Sequence, residues 1–600
     1  MKISRTITLF FAGLGFISGL AQGVEITAGA NITVSGAASV VIDNGDFINN
    51  GSYVKGNETL TMSGSTAKQI SGNNNTDIYE LIVSNTGGIT TNFDQLSCNN
   101  LSIVNGSKFT IPAQKSVQVS TLLTNNAGTG GLVIKSDVNF QNASLIFNNP
   151  VETPVLATVE MYSKAAAVNS NPYSDYKWQF FGIPLRNLVS ASPTFNGSYV
   201  RKHFESAMDN SGSWIALNNN SSLSPVDGYE ITQATAKTIY FKGELLNSNQ
   251  AKTISYTSGA IYSGNHILSN PYTAAIDIRK MTFGANMENA VYLYNTGSHA
   301  DWVANGTATN GNNPGQYSAS TPNTAGTSIE GYSIPLQIPS MQGFMVKNTA
   351  ETTFTLDYNS VKMNNLTPQR VNNSGQTENQ KIFSLIEVKA SKYTDQLWLF
   401  HNDACSRNFD NGWDARKNMS SGAFPQIFAI EKDGDYQIDV VDNYDQTILG
   451  FRNGDDEKYT LKFVHQNLDK TSEKLYLFDL VNNTVTDITT SGTEYVFDAN
   501  PTAEPTKRFK ILTQNEMTDQ LNSNSTEKIK VYFADNTILI DNMNGFSGQY
   551  RICNLSGNLL FKNEFEAFKI TKHQVSLPTG IYLISVENES VNTTTKIIVE

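Results

Sequence analysis

The sequence holds few of the residues that usually mark catalytic or metal chemistry. Six histidines occur in 600 residues, and none begins an H-E-x-x-H zinc motif. The three cysteines, Cys98, Cys405 and Cys553, lie far apart without metal-like spacing, and neither a G-x-S-x-G elbow nor a Walker loop is present. We therefore expect no enzyme and no cofactor. A glycoside hydrolase stays open as the enzymatic alternative, because its paired carboxylates leave no local signature.

Charged residues are also scarce, at 16% of the chain, and the formal net charge is -12. Nucleic-acid binding requires a basic face, so this balance predicts no nucleic-acid partner. Asn, Ser, Thr and Gly dominate the polar residues, a composition that favours strands joined by loops over helices. We expect an all-β protein of several domains.

Long apolar runs are missing after the first twenty residues. At the start, Lys2 and Arg5 precede an apolar run over residues 7–20, and Gly19-Leu20-Ala21 supplies the small residues that a signal peptidase requires. This pattern predicts a Sec signal peptide that is cut after Ala21. No other run approaches the roughly 20 apolar residues of a spanning helix, so no transmembrane helix is expected.

The rest of the chain divides by composition and spacing into blocks of moderate length. Residues 516–526 are a polar stretch with little to bury, which is typical of a linker. The predicted organisation is a signal peptide over residues 1–21, a β-helix-like or β-solenoid region over 22–150, a duplicated β-sandwich block over 151–375, a jelly-roll-like β-sandwich over 376–515, the linker over 516–526 and a small β-sandwich over 527–600.

Short apolar triplets recur through residues 22–150. Examples are Ile32-Thr33-Val34, Leu81-Ile82-Val83 and Leu101-Ser102-Ile103, with inward aliphatic residues flanking one outward residue. A single coil of this kind cannot bury its apolar face, whereas stacked coils bury a continuous column and align asparagines into ladders. The pattern favours a parallel β-helix. A β-sandwich remains the alternative.

Residues 155–357 contain an internal duplication. In the first unit Pro184 precedes Trp214 by 30 residues, and in the second Pro271 precedes Trp302 by 31. In each unit a glycine then precedes an aromatic residue, Tyr229 or Phe344. The second unit is longer because of residues 305–330, whose Gly, Asn, Thr, Ser and Pro content predicts an exposed loop.

The aromatic residues of this duplication have two interpretations. Exposed rings would form a stacking platform for sugars, because the apolar faces of pyranoses pack on aromatic rings. Buried rings would fill the cores of two sandwiches. The candidates for ligand binding are Trp214, Tyr229, Trp302 and Phe344.

The block over residues 376–515 carries one charged constellation. Asp410 and Asp414 lie four residues apart with asparagine and glycine between them, and such oxygen ligands on a tight loop are what Ca²⁺ takes. The spacing matches no EF-hand loop. The alternative is that both aspartates pair with Arg416 or Lys417 and cap the loop.

The last block has strand-length apolar runs and two informative turns. One turn is Asn554-Leu555-Ser556-Gly557-Asn558, and the other follows in Leu577-Pro578-Thr579-Gly580-Ile581-Tyr582. A basic residue, Lys596, leads into the final apolar run. A small antiparallel β-sandwich is expected.

Together these features resemble the type A C-terminal sorting domain of the type IX secretion system found in Bacteroidota. Asn554 stands where that family usually has an acidic residue. The resemblance implies that the tail is recognised by secretion machinery and that the protein reaches the extracellular space or outer cell surface. The residues carrying the sorting signal would be Gly557, Leu577, Pro578, Gly580, Tyr582 and Lys596.

The region from Trp178 to Leu512 resembles adhesin-like modules of surface proteins exported by the same route. The matching motifs are Asn270-Pro271-Tyr272, Gln342-Gly343-Phe344, residues 409–417 and Arg508-Phe509. The resemblance implies a non-catalytic adhesin or surface-display protein whose partners are surface glycans or host and extracellular proteins. A glycan-binding protein that captures polysaccharide is the alternative, and a surface glycoside hydrolase is the third interpretation.

Overall fold

The structure is a computed structural model, and it is almost entirely β. It describes residues 6–8, 23–138, 142–165, 178–189, 193–218, 220–295, 316–364, 381–419, 424–471, 474–482, 484–499, 506–513, 529–534, 537–542, 547–565, 569–587 and 592–599. Most of the predicted signal peptide, its cleavage site at Ala21 and the predicted linker lie outside the described residues. Within these ranges no helix has the length and apolar character needed to cross a bilayer.

The chain forms two compact units. Unit 1 comprises Met1–Gln380, Ser391–Asp395 and Asp410–Ser421, and unit 2 comprises Lys381–Ala390, Gln396–Phe409 and Gly422–Glu600. Unit 1 begins with a stack of short strands. They are β1 (Thr6–Thr8), β2 (Gly23–Ile26), β3 (Asn31–Thr33), β4 (Ser39–Asp43), β5 (Asp46–Asn49), β6 (Ser52–Val54), β7 (Thr59–Gly64), β8 (Lys68–Ser71), β9 (Thr76–Asn85), β10 (Ile89–Thr91), β11 (Gln95–Ile103), β12 (Phe109–Ile111), β13 (Ser116–Asn125), β14 (Leu132–Ile134), β15 (Ser144–Phe147) and β16 (Leu156–Ser163).

These strands stack in parallel as a β-solenoid. One sheet has the order β2-β5-β8-β10-β12-β14-β16 and another the order β4-β7-β9-β11-β13-β15. Side chains that bond between neighbouring coils are typically 20 to 23 residues apart, which is the length of one coil. The β-helix prediction is confirmed, and the sandwich alternative is wrong. The parallel stack also continues past residue 150 as far as β16.

The solenoid core is a set of aligned aliphatic columns. Leu60 pairs in register with Leu81, Leu81 with Leu101 and Leu101 with Leu123. All four side chains are buried, and each contributes about 1.5–3 kcal/mol by leaving water. Because each coil repeats the same inward positions, the apolar column runs without interruption through the stack.

Buried asparagines bond mostly to the backbone of neighbouring coils. Asn85 donates from Nδ2 to the carbonyls of Ser63 and Thr66, and Asn149 donates to the carbonyl of Leu123. These bonds give the buried amide groups backbone partners on the neighbouring coil. The prediction of asparagine ladders is therefore replaced by side-chain caps on the turns.

Two related modules follow the solenoid in unit 1. Their strands are β17 (Gln179–Phe181), β18 (Leu188–Val189), β19 (Ser198–His203), β20 (Trp214–Ala216), β21 (Ser222–Leu223), β22 (Tyr229–Gln233), β23 (Lys237–Glu244), β24 (Gln250–Ile254), β25 (Asn265–Ser269), β26 (Ala275–Asp277), β27 (Val291–Tyr294), β28 (Tyr317–Ser320), β29 (Ser328–Ile329), β30 (Tyr332–Ser333), β31 (Gln337–Ile338), β32 (Gly343–Lys347), β33 (Thr352–Leu356) and β34 (Lys362–Met363). The short helices of the described chain are α1 (Asn210–Ser213), α2 (Tyr358–Val361) and the 3-10 turns Gly128–Gly130, Ile278–Lys280 and Leu468–Thr471.

The strand order repeats from one module to the other. The main sheet is β17-β22-β19-β20 in module 1 and β25-β32-β27-β28 in module 2. The flanking pairs also correspond: β16 with β23 and β18 with β21 in module 1, β24 with β33 and β26 with β31 in module 2. The predicted duplication is confirmed by this topology. Because β23 runs antiparallel to β16, module 1 also closes the end of the solenoid.

The modules exchange equivalent contacts across their shared boundary. Phe181 of β17 bridges to Gln342 of module 2, and Leu268 of β25 bridges to Asp227 of module 1. A glycine follows both Asp227 and Gln342. A Cβ on Gly228 would lie 2.5 Å from the Leu268 carbonyl oxygen, and a Cβ on Gly343 would lie 2.8 Å from the Phe180 Cβ. Glycine at both positions therefore permits the close approach of the two backbones.

The region predicted as an exposed loop over residues 305–330 is different in its described part. Gln316, Ser320, Thr321 and Thr324 are buried, and β28 lies among them. Their small polar side chains bond locally, as Thr321 does with Thr324 through the two hydroxyls at 2.8 Å. Low hydrophobicity was therefore a poor guide to exposure here, because hydroxyl groups can be buried when they are paired.

The next strands form a single coiled sheet. They are β35 (Ile382–Lys389), β36 (Thr394–His401), β38 (Gln426–Glu431), β39 (Gly434–Val441), β40 (Ile448–Arg452), β41 (Lys458–Gln466), β42 (Leu475–Asp479), β43 (Thr484–Asp487), β44 (Glu494–Asp498) and β45 (Thr506–Thr513). The short strand β37 (Ala415–Arg416) belongs to unit 1. The path runs β43-β42-β45-β40-β38-β39-β36-β35-β41-β44. Tyr495 of β44 donates its hydroxyl to Asp479 of β42 at 2.9 Å, so the two ends of the path meet around one aromatic core. The strands thus form one continuous path, where a jelly roll would have two separate sheets.

The last strands form a small sandwich in unit 2. They are β46 (Ile529–Ala534), β47 (Thr537–Asn542), β48 (Gly548–Asn554), β49 (Leu559–Phe565), β50 (Lys569–Gln574), β51 (Gly580–Glu587) and β52 (Asn592–Val599). One sheet is β46-β47-β50 and the other β49-β48-β51-β52. Ile540, Tyr550, Ile552 and Ile584 belong to a core of their own between the sheets. The predicted small antiparallel sandwich is confirmed.

Candidate ligand-binding face and sorting signal

One side of the module 1 sheet carries polar and aromatic groups instead of core residues. Successive side chains on a strand point to opposite faces, so Tyr199, Arg201 and His203 of β19 share the outer side while Val200 enters the core. Trp214 of β20 lies directly opposite His203. We call the outer side formed by Trp178, Tyr199, Arg201, His203 and Trp214 the aromatic face.

The rings of this face contact one another and the Arg201 guanidinium. The Arg201 Cζ lies 3.7 Å from the centre of the Trp178 ring and 5.7 Å from that of Trp214. His203 meets Trp214 edge-on with 5.1 Å between ring centres, and Trp178 meets Tyr199 at 5.8 Å. Tyr199 stays 39% exposed, and the two tryptophans are half-buried. The face therefore presents ring surface to solvent in a fixed arrangement.

Two titratable groups, Glu230 and His203, set the charge of this face beside Arg201. Arg201 forms an ion pair with the buried carboxylate of Glu230 on the neighbouring strand β22. Burial raises the pKa of Glu230 to about 7, and the Arg201 charge acts in the opposite direction. Burial lowers the pKa of His203 to about 4, helped by nearby His266, so the imidazole is neutral at pH 7. The aromatic face thus carries one cation, Arg201, which Glu230 engages, and a neutral imidazole.

The structure places the predicted ligand-binding residues in different environments. Tyr229 and Phe344 are 1% and 0% exposed and lie in two separate cores, so their assignment to a sugar platform is wrong. The residue that follows a close-approach glycine lies at the start of a strand, first in β22 and second in β32, and points inward. Trp214 remains a candidate because it lies on the aromatic face. Trp302 lies outside the described residues, and strand register makes Tyr317 the counterpart of Trp214, since Tyr317 pairs with Tyr294 as Trp214 pairs with His203.

The same sheet side in module 2 is covered by the chain itself. Tyr292 occupies the place of Arg201, since Tyr292 pairs with Met345 two residues after Gly343 and Arg201 pairs with Glu230 two residues after Gly228. Tyr292 is 0% exposed. Its hydroxyl donates to Glu288 and accepts from the Arg416 backbone N–H.

The covering segment comprises residues 410–419, which contain the predicted calcium constellation. Arg416 pairs with Glu288 at 2.9 Å, and the Lys417 ammonium pairs with Asp395. The Asp414 carboxylate accepts the Asp410 backbone N–H at 2.7 Å and caps the turn, as the alternative to calcium predicted. The pairing of Asp410 or Asp414 with these basic residues stays a prediction. Among the described residues no cluster of three or more His, Cys, Asp or Glu side chains could hold a metal ion. Calcium at Asp410 and Asp414 stays a prediction.

The first turn of the sorting signal depends on an asparagine. The Asn554 side-chain oxygen accepts the backbone N–H groups of Ser556 and Asn558. Gly557 completes the turn with φ +80° and donates to the Asn554 carbonyl. An aspartate would accept the same two bonds, so Asn554 preserves the turn without its charge. Leu555, Leu559 and Leu560 around this turn are exposed.

The second turn connects the start of β51 with the core of the sandwich. Leu577 packs against the sandwich core, and the Tyr582 hydroxyl donates to the Pro578 carbonyl at 2.7 Å. Gly580 begins β51, where the Tyr582 ring lies 3.5 Å from a Cβ built on it. Lys596 on β52 is exposed and pairs with Leu583. The motif residues other than Lys596 therefore shape one corner of the domain, and Lys596 is available at its surface.

Comparisons with known proteins match both parts of this architecture. A family profile covers residues 63–512, from the middle of the solenoid through both modules to β45. This is well over half of the chain. The chain belongs to the family described as Domain of unknown function (DUF8693).

Further matches place this member of the DUF8693 family outside the cell. Residues 523–600 match the Secretion system C-terminal sorting domain. The chain is also 29% identical over 501 residues to the Minor fimbrium subunit Mfa5 of Porphyromonas gingivalis, a match that covers 79% of this chain and 39% of that relative. The chain thus spans about two fifths of the relative's length. It is a secreted protein of the extracellular space or cell surface.

Sequence reasoning missed four of the five residues of the aromatic face. Trp178, Tyr199, Arg201 and His203 lie on or beside strands whose alternation was visible, since the segment reads Tyr-Val-Arg-Lys-His over residues 199–203. The signal was the placement of aromatic and polar residues at every second position beside an inward valine. Glycine–aromatic pairs attracted attention instead, and these mark the core.

Proposed function

We propose that this chain is a non-catalytic adhesive subunit of the bacterial surface, exported first by its signal peptide and then by a type IX route through its C-terminal domain. The observation that carries the proposal is the match of residues 523–600 to a sorting domain, together with a separate core for that domain. A tail with its own core can be recognised without disturbing the rest of the chain. The relative that is named a fimbrium subunit supports the adhesive role.

The architecture suits contact more than turnover. A solenoid and two sandwich modules give a rigid support for surface loops and exposed rings, and many weak contacts along such an array add up through effective concentration. Three buried carboxylates have structural roles: Glu288 holds the covering segment, Glu230 holds Arg201, and Glu205 accepts four hydrogen bonds from Ser255, Thr257 and Gly264. These roles support a function without catalysis.

Deletion of residues 527–600 tests the export route. We expect the truncated protein to stay in the periplasm while the full chain reaches the surface, as measured by cell fractionation and by protease accessibility on intact cells. A matched control is Ile584→Val, which removes one methyl group from the tail's own core outside the sorting signal and costs the tail about 1 kcal/mol while leaving its surface unchanged. That variant should still be exported. Normal surface display of the truncated protein would overturn the proposal.

A further inference from the structure

Equivalent sheet sides in the two modules differ in accessibility. In module 2 the side is sealed by the covering segment, whose Arg416 and Asn411 bond to Glu288, Tyr292 and the Met287 carbonyl. In module 1 the corresponding side buries Phe180 against Tyr294 and Tyr317 of module 2 but keeps Tyr199 exposed and Trp178 and Trp214 half-buried. A sheet of this strand order can therefore bury its outer side within the chain. The ring surface left open in module 1 is a property of that module and not a consequence of the topology.

The groups on the open side combine apolar rings with hydrogen-bonding edges. The aromatic rings of the face lie beside the Arg201 guanidinium and the His203 imidazole. These rings belong to Trp178, Tyr199 and Trp214. Tyr262, 39% exposed, extends the strip from the far side of His203, with 5.7 Å between ring centres. Aromatic faces accept the C–H surface of a sugar ring, while guanidinium and imidazole groups reach its hydroxyls.

Charge narrows the ligand class. Arg201 is held in an ion pair by Glu230, and His203 carries no charge at neutral pH because burial lowers its pKa. An anionic polymer would need an excess of unpaired cations, and a cationic ligand would need an unpaired carboxylate within reach of the rings. Neither is offered by the five residues of the aromatic face. Neutral polyhydroxylated molecules match this balance.

We propose that the aromatic face of module 1 is a binding site for neutral oligosaccharides, with pyranose rings stacked along Tyr199, Trp178 and Trp214. This rests on the proposed surface function, for which it supplies a ligand class. Residues 199, 201 and 203 span roughly 13 Å along an extended strand, so more than one sugar ring can lie over the strip. Arg201, held between the two tryptophans and Glu230, is pre-organised to donate to sugar hydroxyls, which limits the entropy lost on binding.

The test uses the full chain and soluble neutral oligosaccharides of glucose, mannose, galactose and N-acetylglucosamine, with sialylated and sulfated oligosaccharides as the acidic arm. Binding is screened on an immobilised array, and the strongest neutral sugar is then titrated calorimetrically. We expect Tyr199→Ala and Trp214→Ala each to weaken that binding about tenfold. Tyr240→Ala is the matched control, because Tyr240 is 49% exposed on β23 and lies outside the aromatic face.

Each outcome decides the proposal. Loss of binding in both face variants, with the control unchanged, supports it. Binding by none of the neutral sugars, binding confined to the acidic arm, or equal binding by all variants overturns it. Since Trp214 also contacts Phe180, its variant is checked by thermal unfolding, and Tyr199→Ala alone decides between these outcomes if Trp214→Ala fails to fold. Surface display of the same variants is scored separately, so a protein that is displayed but binds no sugar refutes this site and leaves the export proposal intact. Release of reducing sugar would instead refute the non-catalytic role.

Discussion

Modules 1 and 2 share their strand order and differ in what their outer sheet sides do. Module 1 uses Arg201 and Glu230 at the central pair of that side and leaves aromatic rings at the surface. Module 2 has Tyr292 and Met345 at the same pair, and the covering segment buries Tyr292. Duplication thus preserved the backbone and the close-approach glycines, while the outer residues diverged. Topology therefore fixes where a site can be, and the outward side chains decide whether one exists.

The largest expected effect comes from the glycines that both modules share. Gly228→Val places a side chain 2.5 Å from the Leu268 carbonyl oxygen, a backbone atom that cannot move aside easily. We expect a loss of at least about 3 kcal/mol in the unfolding free energy of unit 1, measured by denaturant titration. Gly212→Ala is the control, since its new Cβ would meet Ala207 at an ordinary 3.5 Å. Equal, small losses in both variants would show that the modules are not packed as described.

Weakening the attachment of the covering segment to module 2 should have the next largest effect on stability. Arg416→Met leaves the buried Glu288 carboxylate without its guanidinium partner, at a cost of about 3 kcal/mol. The same change should expose Tyr292 to solvent, so that the outer side of the module 2 sheet becomes accessible as it is in module 1. Increased labelling of Tyr292 by a tyrosine-specific reagent would register this. A stable variant with Tyr292 still protected would contradict the covering role.

In module 1 the stability lost when Arg201 is replaced should depend on pH. Burial holds the folded-state pKa of Glu230 at about 7, above its ordinary value, so the fold favours the protonated carboxyl. The stabilisation that follows is fully present below about pH 4.5 and is lost as the pH rises through 7. Arg201→Met removes the charge that opposes this shift. We therefore expect the variant to lose about 2 kcal/mol more at pH 8 than at pH 5, relative to the unsubstituted chain. Unfolding curves at the two pH values measure it, and an equal loss at both would show that Glu230 is not held by Arg201.

The smallest expected effect concerns the cap in the covering segment. Asp414→Ala removes the acceptor of the Asp410 N–H and should cost about 1 kcal/mol, while Asp414→Asn keeps an acceptor and should cost less. Thermal unfolding with added Ca²⁺ or with a chelator accompanies both variants. A cap predicts no response to the metal, whereas a calcium site predicts a higher melting temperature with Ca²⁺ that both substitutions abolish.

Much of the fold could be predicted from the sequence, because its signals are local and repeated. Aliphatic triplets such as Leu81-Ile82-Val83 specify stacked coils, and glycine–aromatic pairs marked both modules. The turns at Gly557 and Pro578 specified the tail. The aromatic face could not be predicted with the same ease, since Trp178, Arg201 and Trp214 lie on or beside three separate strands that the sheet brings together. Spacing also misled: Trp214 and Trp302 are similarly placed after their prolines, yet register makes Tyr317 the counterpart of Trp214.

Hydroxyl-radical footprinting of the full chain, with and without the strongest neutral oligosaccharide, tests the contrast between the modules most directly. We predict that Trp178, Tyr199 and Trp214 are oxidised in the free protein and protected by the sugar, and that Tyr292 is protected in both states. Equal protection of both modules in the free protein, or oxidation of Tyr199 and Trp214 that the sugar leaves unchanged, would contradict an open binding face in module 1.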